Sequence, residues 1–179
     1  MSRTFFVIAS TLAGAALLAA CGGPGGTQDP TTDPSQSAGG SSLAGFDPCT
    51  ALSESDLQSY GVTKPGEPVD QGIGETGCDF KTDDFLLTVY KSDESDMAYW
   101  EGRKDRFGIF ETNRVGSHEG IKTATKGSAG LGMCTQIVLA GSGSISVQIN
   151  YSSDKNQGND VACAKAMEIA QVVEPKLPK

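Results

Sequence analysis

The chain has 179 residues and a mass of 18.5 kDa, which is room for one ordinary domain with tails. Its 14 basic and 22 acidic side chains give a formal net charge of −8, whereas a nucleic-acid binder normally carries a basic excess. Apolar residues make up 37% of the chain and the mean hydropathy is −0.23, which excludes a membrane protein with several spans. We therefore expect no nucleic-acid partner.

The N-terminus has the pattern of a bacterial lipoprotein signal peptide. Arg3 precedes an apolar run that ends in Leu18-Ala19-Ala20-Cys21. Small residues before the scissile bond suit a signal peptidase, and Leu three positions before a Cys completes a lipobox. The sequence predicts that Cys21 is lipidated and that residues 1–20 are then cleaved. The alternatives are an ordinary secretory signal and an uncleaved helix.

A lipid on Cys21 would be the membrane contact of the mature chain. Each buried methylene contributes about 0.8 kcal/mol, and two or more acyl chains, such as palmitate, anchor a protein stably. We expect the protein on the extracytoplasmic face of the cell membrane. Residues 21–45 are rich in Gly, Pro and Ser, which predicts a disordered tether. Residues 46–179 are predicted to form a single domain.

The first half of that domain is predicted to contain one helix and two strands. The helix covers residues 52–60, with Ser53 as N-cap and Gly61 at its end. A Gly- and Pro-rich loop covers residues 64–77. Strands are predicted at residues 78–80 and 85–90, and Asp83-Asp84 lies in the turn between them.

The second half is predicted to contain a helix, two or three strands and a closing helix. The first helix covers residues 96–107, with Trp100 and Phe107 on one side and Arg103 on the other. Strands are predicted at 132–140 and 144–151, the weak signals at 114–117 and 121–125 add one more at most, and the closing helix is predicted at 160–173. In 144–151, apolar residues alternate with Ser, Gln and Asn, which predicts one buried and one solvated face. The order α-β-β-α-β-β-β-α indicates an α+β fold, an antiparallel sheet with helices packed on it.

Four cysteines remain when Cys21 is set aside, and an even number in an exported protein implies two disulfides. The separation of 29 residues in each half favours Cys49–Cys78 and Cys134–Cys163, while two other pairings stay open. The other interpretation is a metal or redox site. There is no Cys-x-x-Cys and no standard zinc spacing, so we expect no metal and no cofactor.

Three motifs suggest chemistry but lack the context that it needs. Residues 72–77 match G-x-G-x-x-G, yet they follow a loop and precede a strand, whereas a dinucleotide site opens a helix. His118 is the only candidate imidazole base, and it is expected to be a surface side chain. Acidic clusters at residues 93–96 and 154–160 could bind calcium, but solvated loops are the better interpretation.

The predicted helix at 96–107 is the best candidate for a binding surface. Trp100 and Phe107 supply aromatic side chains, and Arg103 belongs to the most basic stretch of an acidic domain. Aromatic residues at helical spacing are more often core residues than ligand contacts. No catalytic residue is predicted.

A lipobox, a Gly/Pro/Ser tether, Asp47-Pro48-Cys49, a helix ending at Gly61 and Gly77-Cys78-x-Phe80 follow one another along the chain. With the later Cys134 strand and Cys163 helix, this arrangement resembles the actinobacterial lipoproteins classed as domain of unknown function 3558. The family often has Trp where this chain has Phe80. The resemblance implies an exported, anchored domain without assigned catalytic residues, and suggests a fold similar to PsbP-like α/β sandwiches.

Three functions are compatible with these features. The first is a lipid-anchored, non-enzymatic binding or interaction module at the cell envelope, with an envelope protein or a lipid as partner. The second is a carrier of a lipid or small molecule, which predicts an apolar cavity under the Trp100 helix. The third is a cell-envelope hydrolase that uses His118 or a carboxylate pair.

Overall fold

A seven-stranded antiparallel sheet organises the computed structural model, which describes residues 43–178. The strand order is β1-β2-β3-β7-β6-β5-β4, and every neighbouring pair is antiparallel. The α+β class predicted from sequence is confirmed, with two more strands than predicted. The elements are α1 (Glu54–Ser59), β1 (Glu67–Asp70), β2 (Glu75–Lys81), β3 (Phe85–Ser92), α2 (Met97–Glu101), β4 (Phe107–Val115), β5 (His118–Thr125), β6 (Met133–Ala140), β7 (Gly143–Tyr151) and α3 (Asn159–Val173).

The first helix, predicted over residues 52–60, spans Glu54–Ser59 and has its N-cap at Ser53 as the sequence predicts. The Asp56 backbone N–H donates to the Ser53 hydroxyl (3.1 Å), and the Ser53 backbone N–H donates to the Asp56 carboxylate (3.0 Å). This reciprocal pair is a capping box, which satisfies two backbone donors that the helix leaves unpaired. Gly61 follows the helix with φ 81°, a left-handed conformation that Gly adopts without strain.

Two secondary-structure predictions are wrong at their boundaries. The predicted loop 64–77 contains strand β1, an edge strand that is mostly exposed and includes Pro68. An edge strand of this kind has no apolar alternation to mark it. The predicted helix 96–107 ends at Glu101, because Gly102 caps it and a short 3₁₀ turn, Lys104–Arg106, follows. Phe107 already has extended dihedrals and begins β4, which includes the first part of the predicted strand 114–117.

The two faces of the sheet are covered differently. The α3 face carries the main core, in which Leu87, Val147 and Ile149 pack with Ala166 and Ile169 of α3. The opposite face, here called the Trp100 face, carries a smaller cluster of Trp100, Ile121 and Ile137. Partly buried aromatic and aliphatic side chains surround that cluster: Met97, Tyr99, Phe107, Phe110 and Leu139.

Strand β7 corrects a prediction about solvent exposure. Its apolar residues Ile145, Val147 and Ile149 are fully buried on the α3 face, as expected. Its polar side was expected in water, yet Ser144 is 1% and Ser146 8% exposed, and only Gln148 and Asn150 are partly exposed. The reason is that α2 and the residue before its cap cover Ser144, whose hydroxyl is hydrogen-bonded to the Trp100 indole and to the Ser95 hydroxyl.

Both favoured disulfides are confirmed. Cys49, in a 3₁₀ turn before α1, bonds Cys78 of β2, and Cys134 of β6 bonds Cys163 of α3. The first joins the segment before α1 to the sheet, and the second joins α3 to the sheet. Cys78 and Cys134 are fully buried on the α3 face, so both bridges end in the main core.

The folded region extends beyond the predicted boundary at residue 46. Leu43 lies in a 3₁₀ turn, is 2% exposed and belongs to the main core. The sequence places Leu43 in the predicted tether. It is buried instead, because it is the one large apolar side chain of that segment and can contribute to the main core. The predicted signal peptide, Cys21 and the rest of the tether lie outside the described residues.

Candidate functional site

A small groove lies on the Trp100 face, lined in part by Trp100 of α2 and by Phe107 at the start of β4. Its volume is about 140 Å³. The strands β2, β3, β5, β6 and β7 all contribute to its lining. The lining residues are Glu75, Tyr90, Trp100, Phe107, Thr123, Ala124, Thr125, Met133, Thr135, Ser146 and Gln148.

Trp100 is fixed over the sheet by hydrogen bonds and by its helix cap. Asp96 begins α2 by accepting from the Tyr99 backbone N–H (2.8 Å). The Trp100 indole Nε1–H donates to the Ser144 hydroxyl (3.2 Å), which is also hydrogen-bonded to the Ser95 hydroxyl (2.6 Å). Trp100 is 9% exposed. Its ring is therefore a fixed wall of the groove.

The structure brings Trp100 and Phe107 together, although not by way of one helix. Their ring centroids lie 6.3 Å apart at 52°. Arg103 was predicted on the opposite side of a helix. It instead lies in the turn after α2, with its guanidinium carbon 3.5 Å from the Tyr99 ring centroid and Nη1 donating to the Tyr99 carbonyl (3.1 Å). Arg103 is thus held beside the groove and does not line it.

Glu75 is a groove residue that sequence reasoning missed. It is half-buried at the start of β2, and within residues 43–178 no hydrogen bond or ion pair engages its carboxylate. Burial raises the pKa of this carboxyl group, and the charge of Arg103 opposes the effect. The signal that could have found it is strand alternation, because Glu75 and Gly77 share the Trp100 face once β2 is extended back to residue 75.

Tyr90 forms the side wall next to Glu75. Its hydroxyl accepts from Gln71 Nε2 (2.8 Å), and its ring lies close over Gly77 on the paired strand. A Cβ atom at Gly77 would lie only 2.6 Å from Tyr90 Cδ1, so this close approach requires glycine. The glycine therefore lets the aromatic ring lie close to β2.

The floor of the groove is polar. Gln148 Nε2 donates to the Thr135 hydroxyl (3.3 Å), and the Thr123 hydroxyl donates to the Thr135 carbonyl (3.4 Å). Pockets for drug-sized ligands measure about 300–1,000 Å³, whereas a cavity of about 150 Å³ holds benzene. The groove therefore fits a compact group, and it is too small for an acyl chain.

His118 is not the surface side chain that the sequence suggests. Its side chain is 12% exposed, Nδ1 lies 2.7 Å from Glu174 Oε1, and Nε2 lies 3.1 Å from the Pro178 carbonyl oxygen. Both ring nitrogens lie within hydrogen-bonding distance of an oxygen, so the imidazole bridges Glu174 and Pro178. The chain end after α3 is thereby attached to the turn between β4 and β5.

The neighbouring serine does not complete a catalytic triad. The Ser117 hydroxyl donates to Glu174 Oε1 (2.7 Å), and the Ser117 backbone N–H donates to the same oxygen (2.9 Å). Nucleophilic catalysis needs a base that takes the serine proton, but His118 Nδ1 lies 2.7 Å from the Glu174 carboxylate and 3.4 Å from the Ser117 hydroxyl, so the carboxylate is its closer partner. The cluster of Ser117, His118 and Glu174 is built to hold the chain end.

Glu174 gives this cluster a predicted pH dependence. The Ser117 hydroxyl, His118 and the Ser117 N–H lower the pKa of Glu174 to about 2, from 4.5 for an ordinary Glu. Because the folded-state pKa is depressed, the stabilisation is complete above pH 4.5 and is lost as pH falls towards 2. We expect Glu174→Gln to lower the free energy of unfolding by about 2–3 kcal/mol at pH 7, since hydrogen bonds to a charged group are lost.

The measurement is urea unfolding followed by far-UV circular dichroism between pH 7 and pH 3. The difference in the free energy of unfolding between wild type and Glu174→Gln should shrink below pH 4.5. Glu168→Gln is the matched control, because its carboxylate is 51% exposed in a surface ion pair with Lys165, and it should cost less than about 0.5 kcal/mol. If this difference in the free energy of unfolding were the same at every pH, the pH dependence could not be assigned to Glu174.

The G-x-G-x-x-G segment and the second acidic cluster both begin in loops, and their contacts are structural. The G-x-G-x-x-G residues form the turn between β1 and β2 and run into β2, and no helix N-terminus follows them. In the second acidic cluster, Asn156 donates to the Gly130 carbonyl (2.7 Å) and Asn159 to the Met133 carbonyl (2.7 Å). Among residues 43–178, no group of three or more His, Cys, Asp or Glu side chains could hold a metal ion.

Between residues 43 and 178, no helix has the length and apolar character to cross a bilayer.

A comparison with family models identifies the chain. The model described as "Protein of unknown function (DUF3558)" matches residues 16–176, which includes the predicted lipobox cysteine and all four disulfide cysteines. No curated protein and no solved structure matches at a significant level. The sequence resemblance is confirmed at the level of the domain, and the chain belongs to the DUF3558 family of proteins of unknown function.

Proposed function

We propose that the protein is a lipid-anchored binding module on the extracytoplasmic face of the cell membrane, of the type found in actinobacterial lipoproteins. Cys21 would carry the lipid, and residues 22–42 would link it to the described region. The groove on the Trp100 face would bind the ligand or partner. We also retain, as a proposal, that the fold is PsbP-like.

The observation that carries the binding function is the Glu75 carboxylate in the groove. A half-buried carboxylate that makes no hydrogen bond or ion pair within residues 43–178, next to three aromatic side chains, is costly for a merely structural surface. Such a combination of concavity, aromatic walls and a perturbed carboxyl group is typical of a binding site.

The same geometry favours binding over the two other functions. A carrier of lipids needs an apolar cavity, and the space beside Trp100 is about 140 Å³ with a polar floor. A hydrolase needs a base next to a nucleophile, and His118 and Ser117 are both bonded to Glu174. The two disulfides support an oxidising compartment outside the cytoplasm.

Anchoring is tested in cells that are fed a clickable palmitate analogue. The full-length protein should be labelled and recovered with membranes, and protease added to intact cells should digest it. Cys21→Ser should lose the label and leave the membrane fraction. Ser35→Ala, a neutral change in the predicted tether, is the control and should behave as wild type. Labelling that persists in Cys21→Ser, or protection from protease, would contradict the proposal.

Ligand binding is tested separately by native mass spectrometry of the full-length protein purified in detergent from its own cells. A small bound molecule, or a protein captured by cross-linking in the envelope, supports the binding module. Turnover of an envelope substrate that is abolished by a single substitution would replace it with an enzyme.

A further inference from the structure

We infer that the groove on the Trp100 face receives a compact organic ammonium group, with the Glu75 carboxylate as its counter-ion and the rings of Tyr90, Trp100 and Phe107 as its walls. This inference rests on the proposed binding function and specifies the chemical class of the ligand. The ammonium group could belong to a free amine or to a lysine side chain of a partner.

The charge of the groove selects a cation. Glu75 is the one charged residue in its lining, and no hydrogen bond or ion pair within residues 43–178 neutralises it. Arg103 acts on Glu75 only through space, because its guanidinium group is stacked on Tyr99 and bonded to the Tyr99 carbonyl. An anion would therefore meet the carboxylate directly. A cation would receive the partner that it needs in a half-buried site.

The aromatic rings that form the walls of the groove can attract an ammonium group through cation–π interactions. A cation is attracted to the face of an aromatic ring within about 6 Å of its centroid, and several such rings form the cages that bind quaternary ammonium ligands. Trp100 and Phe107 are tilted to each other by 52° at 6.3 Å, so together they form a corner and not a flat stack. Tyr90 lines the same groove from the neighbouring strand β3.

The floor and the volume limit the group further. The Ser146 hydroxyl and the Gln148 amide line the groove, and the amide oxygen remains an acceptor for an N–H because its Nε2 donates to Thr135. A space of about 140 Å³ accepts a head group the size of benzene and excludes a second large substituent. The net charge of −8 also favours the approach of cations.

The experiment titrates the full-length protein with choline, n-butylammonium and the neutral choline isostere 3,3-dimethylbutan-1-ol. Trp100 is the only tryptophan, so its fluorescence reports directly on the groove. We expect saturable binding of both cations, and binding of the neutral isostere at least tenfold weaker. Glu75→Gln should weaken cation binding at least tenfold, while circular dichroism and the Trp100 emission of the free protein stay as in wild type.

Two further variants separate charge from packing. Glu67→Gln makes the same change in net charge at an exposed site outside the groove, and it should leave cation binding unchanged. Phe107→Leu keeps an apolar side chain but removes the ring, and it should weaken choline binding severalfold. The blocked amino acid N-acetyl-lysine methylamide identifies the source of the ammonium group. Tighter binding than n-butylammonium indicates a lysine of a partner, and equal or weaker binding indicates a free amine.

Equal binding of the neutral isostere, or unchanged cation binding by Glu75→Gln, would overturn the inference. So would the absence of saturation with every ammonium probe. These results are distinguishable from failure of the proposed function, because the native mass spectrum can still contain a ligand of another class. A cation that binds in the groove of a protein that lacks the lipid would support this inference alone.

Discussion

Replacing Trp100 by alanine should lower the free energy of unfolding by about 3–5 kcal/mol, the usual range for a buried Trp or Phe. The indole is 9% exposed and forms the small cluster with Ile121 and Ile137. Its removal would open the Trp100 face to water and leave the hydroxyl groups of Ser95 and Ser144 without their cover. The effect therefore combines lost apolar burial with a lost hydrogen bond.

Urea unfolding followed by far-UV circular dichroism measures this effect, since Trp100→Ala removes the only tryptophan and its fluorescence. Trp100→Phe is the matched control. It keeps most of the apolar area and loses the donor to Ser144, so it should cost about 1–2 kcal/mol. A loss below 1 kcal/mol for Trp100→Ala would mean that the ring is not part of the stable core.

Removing the disulfide Cys134–Cys163 with paired alanine substitutions should lower the free energy of unfolding by about 3–4 kcal/mol. In the chain-entropy model, a cross-link stabilises by restricting the unfolded chain, and the amount depends on the length of the closed loop. The sequence separation is 29 residues. The loss is a large part of the roughly 5–15 kcal/mol that stabilises a typical domain.

The bridge Cys49–Cys78 is an internal control, because its sequence separation is also 29 residues. The entropic contribution should be the same for both bridges. Any difference between the two paired variants in urea unfolding therefore reports the contribution of each bridge to the native state. Full stability in either paired variant would contradict the prediction, and reduction of wild type should cost more than either pair alone.

The sequence predicted the elements whose signals are local. The N-cap at Ser53 and the helix end at Gly61 depend on neighbouring residues and are confirmed. The disulfide pairing was predicted from equal spacing in each half and is also confirmed. Strand β1 was missed because its Pro68 and exposed side chains belong to a sheet edge, where no apolar pattern is required.

The candidate site was predicted in part, and for a partly wrong reason. Trp100 and Phe107 do meet, but a seven-residue spacing fits both a helix and a helix followed by a strand, and Gly102 selects the second. Glu75 and Tyr90 reach the groove through the pairing of β2 with β3, which the sequence does not specify. Likewise, only the tertiary position of α2 buries the serines of β7.

The strand order divides the described region into halves that each carry their own cross-link. Strands β1 to β3 belong to one half and β4 to β7 to the other, and within the sheet they join only where β3 pairs with β7. Of the residue pairs between β3 and β7, Ser92 and Ser144 are the closest in sequence. Neither disulfide shortens the stretch of chain between these two residues. Contacts distant in sequence form slowly, because loop closure costs entropy before they are made. We therefore expect oxidation to cross-link each half independently, and the docking of β3 on β7 to be the slow step of folding.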